Sequence, residues 1–235
     1  MARRSSHHSL GMGLSKAETI AGWCYLPFYL VFLSVIIQKI AEWLQIPLTD
    51  YGLNLTYFCL NLMFILVIFH RFLRQKFFGA GFWNFVQALI LGFVMHYVGT
   101  WLIQEGVELL FGTFTVFNNE TVEGLITSNE IAMMIITIVL APIIEETLIR
   151  GLVFGSLHST SRILAYFMSA FIFVLMHNWQ YFGLHSVGDV LLSCLPYIPS
   201  AIALGWTYEK AGTIWAPIAM HAAINAMSYG LFQLS

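Results

Sequence analysis

Charge is what this sequence has least of. Only 9% of its 235 residues are charged, against about 25% in a soluble domain, while 59% are hydrophobic. Water is therefore not its main solvent. The net charge of -2 offers no basic field to a nucleic acid, and no run of like charges forms an interaction tail, so nucleic-acid partners are not expected. Cys24, Cys59 and Cys194 lie in apolar stretches without CxxC-type spacing, which argues against a disulfide framework or a zinc knuckle. There is also no HExxH, no repeat of fixed period and no stretch that resembles a domain linker.

Long apolar runs are what the chain has instead. A hydrocarbon core about 30 Å thick takes about 20 mostly apolar residues per helical crossing. The runs predict an all-α polytopic transmembrane helical bundle of about seven spans, with a range of six to eight. They lie near Ile20 to Ala41, Leu53 to His70, Phe82 to Ile103, Ile131 to Gly155, Ile163 to Trp179, Val187 to Trp206 and Ile214 to Phe232. The first run is too long for a secretory signal and reads as a retained crossing. Residues 1–19 are then a cytoplasmic N-terminal segment, and residues 20–129 hold helices without a recognised motif.

Lysine and arginine set the orientation, because cytoplasmic loops carry their excess. Arg3, Arg4 and Lys16 precede the first span; Arg71, Arg74 and Lys76 follow the second; Arg150 and Arg162 lie near the turn from the fourth to the fifth; Lys210 lies between the sixth and seventh. All fall on one side. The longest opposite loop, about Gln104 to Glu130, has Glu105, Glu108, Glu120, Glu123 and Glu130 and no basic residue. Only Lys39 departs from the pattern, at a helix end from which a lysine can snorkel. The expectation is an integral membrane protein with its N-terminus cytoplasmic and its C-terminus outside.

Ionisable residues within such runs cost about 2.5 to 3.5 kcal/mol each even on the lenient insertion scale, so a cluster of them calls for a reason. The fourth run contains Glu145, Glu146 and Arg150, and Glu146 stands four residues before Arg150, the spacing that brings an acid and a base onto one helical face. Glu145 is rotated about 100° from Glu146 and needs a different neighbour. Pro142 removes a backbone donor just before the pair and frees a carbonyl. The fifth run ends with Phe173 and His177, and the last carries Pro217 followed by His221 and Asn225, again four apart. Singly, each has a bland reading: Glu146 and Arg150 as a structural ion pair, the histidines and asparagine as interhelical hydrogen bonds. His70, His96, His158 and His185 are left with that reading. Together, a carboxylate, two histidines and an asparagine supply what amide hydrolysis needs.

These three motifs, Glu-Glu-x-x-x-Arg, Phe-x-x-x-His and His-x-x-x-Asn, resemble those of the CAAX protease and bacteriocin-processing family of intramembrane endopeptidases. The resemblance covers roughly Glu130 to Tyr229 and makes residues 130–235 the expected peptidase core. It implies that Glu145 and His177 activate water, that His221 and Asn225 stabilise the oxyanion, and that Glu146, Arg150 and Phe173 support them. It also implies a peptide or protein substrate, either lipid-modified or a processed peptide, and the compact chain favours a bacterial cell membrane. No cofactor is implied.

Three alternatives stand beside it. A divalent metal held by Glu145, Glu146, His177 and His221 would make a metallopeptidase, although the histidines lie on separate helices. A non-catalytic immunity or scaffold protein would bind a peptide without cutting it. A transporter would use the same acids and histidines as a proton relay, but the sequence shows no inverted repeat. Convergence of the motifs also meets a difficulty of depth: counted from the predicted ends, His221 lies nearer the inner surface and His177 nearer the outer one.

The orientation is open to a direct check. In intact cells, an impermeant thiol reagent is expected to reach a cysteine introduced near Asn119 and to miss one near Gln75; the opposite pattern would overturn it.

Overall fold

The computed structural model describes residues 13–232, so Arg3, Arg4 and most of the expected N-terminal segment lie outside the described residues. Among the described residues, nine helices longer than a single turn follow one another: α1 (Lys16–Trp43), α2 (Asp50–Ile68), α3 (Phe82–Phe111), α4 (Phe117–Ser128), α5 (Glu130–His158), α6 (Arg162–Asn178), α7 (Val187–Cys194), α8 (Tyr197–Ala211) and α9 (Trp215–Phe232). There is no strand among the described residues. Among the described residues, six stretches are long and apolar enough to cross a membrane: α1, α2, α3, α5, α6 with its 3-10 extension to Tyr181, and α7 with α8. With α9 as a seventh long helix, the chain is an all-α polytopic bundle and an integral membrane protein. Large apolar side chains such as Leu109 and Ile163 stand on its surface, each more than 80% exposed.

Helix α5 is the most enclosed span, with Ile144, Leu148, Ile149, Leu152, Val153 and Phe154 all fully buried. It is therefore central rather than lipid-facing. Helix α1 packs against its C-terminal half, where a Cβ on Gly22 would meet Leu152 at 2.8 Å, and the single turn His70–Leu73 packs where a Cβ on Gly151 would meet Phe72 at 2.7 Å. Glu18 ties these elements together: one carboxylate oxygen accepts from Arg71 at 2.5 Å and the other from the backbone N–H of Phe72 at 3.2 Å.

Several expected boundaries shift. The sixth crossing is broken at Leu195 and Pro196 into α7 and α8, because proline removes a donor within the apolar run. Helix α3 runs on to Phe111, well beyond the expected end at Ile103. Within the stretch expected as the long outer loop, about Gln104 to Glu130, Phe117 to Ser128 form the helix α4. Its order comes from tertiary bonds: the Phe117 N–H donates to Ser193 Oγ at 3.2 Å, and Thr121 shares a 2.7 Å hydrogen bond with the Tyr181 hydroxyl. Pro217, in contrast, breaks nothing. It sits in the first turn of α9, where backbone donors have no intrahelical acceptor to lose.

Because Gly151 meets an aromatic ring within contact distance, Gly151→Ala is expected to overpack the α5 interface by about 1–3 kcal/mol. Thermal unfolding in detergent checks this, and an unchanged melting temperature would show that Phe72 gives way freely.

Candidate active site

The backbone of α5 determines where its carboxylates point. Its Ile136–Leu140 segment is a π-helix, and the Ala141 N–H donates to the Ile136 carbonyl, five residues back. At the next position stands Pro142, which has no N–H, so in this register the carbonyl without an intrahelical donor is that of Thr137. Asn225 on α9 supplies the donor instead, its Nδ2 lying 2.7 Å from that carbonyl oxygen. The freed carbonyl expected from Pro142 thus exists, one residue earlier than regular α geometry would put it, and it fixes Asn225 to α5.

One turn beyond Pro142, Glu146 and Arg150 form the expected pair. Arg150 Nη1 lies 3.0 Å from Glu146 Oε1, and both side chains are fully buried. Arg150 also donates through Nη2 to the Ala201 carbonyl on α8 at 3.1 Å, and its guanidinium lies 4.5 Å over the Phe173 ring on α6. The same Glu146 oxygen receives His221 Nδ1 from α9 at 2.8 Å. Arg150 and His221 therefore meet on the Glu146 carboxylate, and Phe173 packs on both of them, its ring edge-on to His221 at 5.9 Å between centroids.

Glu145 faces another direction, as its 100° rotation requires. Its Oε2 is buried without a protein hydrogen-bond partner and lies 3.9 Å from His177 Nε2. His177 Nδ1 is 2.8 Å from the Phe173 carbonyl, which can only accept; that nitrogen therefore carries a proton, and in the neutral ring Nε2 is an acceptor turned toward Glu145. The predicted difference in depth survives as about one helical turn: Phe173 contacts His221, and His177 stands one turn further along α6.

Glu145, His177, His221 and Asn225 all border one cavity of about 740 Å³. Its wall also contains Tyr29, Tyr57, Tyr197 and the α4 residues Asn118 and Asn119. None of these carried a sequence signal. Tyr197 is the most telling omission: its ring stacks on His177 with centroids 4.8 Å apart, while its hydroxyl donates to Asn119 at 2.9 Å and accepts from Asn118 at 3.2 Å.

Residues 127–227, spanning α5 to most of α9, match the family model described as type II CAAX prenyl endopeptidase Rce1-like. That segment is similar to the Rce1-like domain. The family is the one whose motifs the sequence carries, and no curated protein or solved structure matches the chain. The Rce1-like segment includes every motif residue, whereas α1 to α3 lie before it.

The other described histidines stay outside this cluster. His158 pairs with Glu209 at 3.0 Å, and His96 shares a 2.9 Å hydrogen bond with Ser200. As for a metal, His221 Nδ1 and the Arg150 guanidinium occupy one oxygen of Glu146, and among the described residues no three His, Cys, Asp or Glu side chains form a group of metal-binding geometry.

If Glu146 and Arg150 neutralise each other, removing either partner strands a buried charge at a cost of about 3–5 kcal/mol, and removing both costs less than the sum. Melting temperatures of Arg150→Ala, Glu146→Gln and the double variant measure this coupling. Additive losses would refute the pairing.

Proposed function

We propose that the chain is an intramembrane endopeptidase that hydrolyses a peptide bond with water activated by Glu145 and His177. The observation that carries this reading is the 3.9 Å approach of an otherwise unpartnered Glu145 oxygen to His177 Nε2 at the wall of a cavity. A water hydrogen-bonded to both groups spans such a separation. As that water attacks the scissile carbonyl carbon, its proton passes to Glu145, and the carbonyl oxygen becomes an oxyanion. Collapse of the tetrahedral intermediate breaks the C–N bond, and Glu145 returns the proton to the leaving amine.

His221 and Asn225 are the oxyanion donors on this reading. His221 is held through Nδ1 by Glu146, so it donates through Nε2 only when it carries both protons; the shared Glu146 carboxylate supplies the compensating charge. Asn225 commits one N–H to Thr137 and has a second on the same nitrogen. Glu146, Arg150 and Phe173 are positioning residues. The substrate is a peptide or protein, processed or CAAX-like, and the host a bacterial cell membrane with the N-terminus in the cytoplasm.

Glu145→Gln and His177→Ala are expected to abolish cleavage while the protein remains folded, and Asn225→Ala to leave activity reduced by about 100- to 1,000-fold. Peptidomics of membranes containing wild type or each variant, with thermal unfolding as the control, reads the outcome. Wild-type product levels from folded Glu145→Gln would sink the water-activation role. Chelators are expected to leave the wild type active, and loss restored by zinc would move the case to a metal mechanism.

A further inference from the structure

His177 makes one firm hydrogen bond, from Nδ1 to the Phe173 carbonyl at 2.8 Å, and a single bond fixes an atom rather than a plane. The torsion that turns an imidazole about its Cβ–Cγ bond is broad, so further contacts must hold the ring if Nε2 is to stay facing Glu145. Two rings supply them. Phe173, one turn earlier on the same helix, meets the imidazole tilted at 45° with centroids 4.6 Å apart. Tyr197 comes from a different helix and lies more nearly parallel, at 30° and 4.8 Å.

Tyr197 is itself held from two directions. The break in the sixth crossing ends α7 at Cys194 and makes Tyr197 the first residue of α8, against the last turn of α6. Its hydroxyl then reaches α4, donating to Asn119 Oδ1 at 2.9 Å and accepting from Asn118 Nδ2 at 3.2 Å. A phenylalanine would stack as well but would lack this tether. Helix α4 is anchored in turn beside His177: the Phe117 N–H donates to Ser193 Oγ at 3.2 Å, and the Ser193 hydroxyl donates to Asn178 Oδ1 at 3.0 Å, with Ser193 and Asn178 both fully buried. Asn178 is the residue that follows His177. The bonds of α4 therefore run both to the backbone that carries the histidine and to the ring that faces it.

Resting on the endopeptidase reading, we propose that Tyr197 is a positioning residue for His177, setting the plane of the imidazole so that Nε2 faces Glu145, and that Asn118 and Asn119 hold Tyr197 in that role. Tyr197 takes no proton and forms no bond to the reacting atoms. Both asparagines precede the matched segment 127–227, so the orientation of a motif histidine depends on a helix that lies mostly outside it.

The test uses full-length protein in detergent micelles and two readouts, with thermal unfolding as the control. The first needs no cleavage: nitrogen NMR of isotopically labelled histidine, the His177 signals being those lost in His177→Gln. Wild type is expected to show one sharp tautomer, protonated at Nδ1. Tyr197→Phe and Asn118→Ala/Asn119→Ala, which release only the hydroxyl, are expected to broaden these signals, and Tyr197→Leu to average them between tautomers. Sharp, unchanged signals in folded Tyr197→Phe would overturn the clamp, and in folded Tyr197→Leu the stacking role. The second readout is steady-state cleavage of a quenched-fluorescence peptide carrying the junction found by peptidomics. Tyr197→Leu is expected to lower kcat by about 100-fold, the scale of a small misplacement of a reacting group, and Tyr197→Phe to lower it less, both with KM unchanged. Combining Tyr197→Phe with Asn118→Ala/Asn119→Ala is expected to cost no more than either alone, and additive losses would overturn the clamp. A raised KM at unchanged kcat would make Tyr197 a substrate contact and overturn the proposal. Altered His177 signals in the variants without cleavage by wild type uphold the positioning of the ring and count against the peptidase reading, while cleavage by wild type with unaltered signals does the reverse.

Discussion

A single oxygen of Glu146 joins the parts of this site. It accepts from Arg150 within α5 and from His221 on α9, and Arg150 extends the connection to the Ala201 carbonyl on α8 and the Phe173 ring on α6. Four helices are thus referred to one carboxylate. In a hydrocarbon setting few other polar groups are at hand, so losing one member strands the others rather than releasing them to water. That dependence is why two residues that touch no substrate on the proposed mechanism stand beside those that would.

The backbone contributes as much as the charges. A π-helical register followed by proline leaves Thr137 without an intrahelical donor, and a carbonyl left unsatisfied at membrane depth costs several kcal/mol. Asn225 removes that cost and is thereby held against α5, across the cavity wall from where α6 presents His177. A defect in one helix becomes the anchor for a side chain of another. A second π-helical segment, Thr147–Phe154, follows the carboxylates, so the functional stretch of α5 is bounded on both sides by altered register.

How much of this is legible in the sequence depends on the range of the interaction. Spacings of four within a helix identify the Glu146–Arg150 pair and place Phe173 beside His177, because helical geometry alone brings such residues together. The bundle follows equally directly from apolar run length. Contacts between helices leave no such trace: nothing local marks Tyr197 as the ring stacked on His177, or ties α4 to Ser193 and Tyr181. The stretch that forms α4 is polar and lacks a side-chain cap, so its order arises from partners distant in the chain, which periodicity does not register. The break at Pro196 had a visible cause, but a proline near the middle of an apolar run is equally compatible with a kink.

The adjacent carboxylates show how one residue of offset separates structure from chemistry. Glu146 and Glu145 are chemically identical, both are buried and each has one oxygen without a hydrogen bond, yet the rotation between them gives Glu146 a guanidinium and an imidazole on its other oxygen and turns Glu145 toward His177. A carboxylate beside a buried guanidinium is a poor proton acceptor, because taking a proton would leave that cation without its compensating charge. One that faces only an imidazole nitrogen at 3.9 Å, beyond hydrogen-bonding range, has that capacity unspent. Exchanging the two roles would require turning α5 by about 100°, which the Arg150 bonds to α8 and the Asn225 bond from α9 oppose. The same contacts that make Glu146 structural therefore keep Glu145 aimed into the cavity.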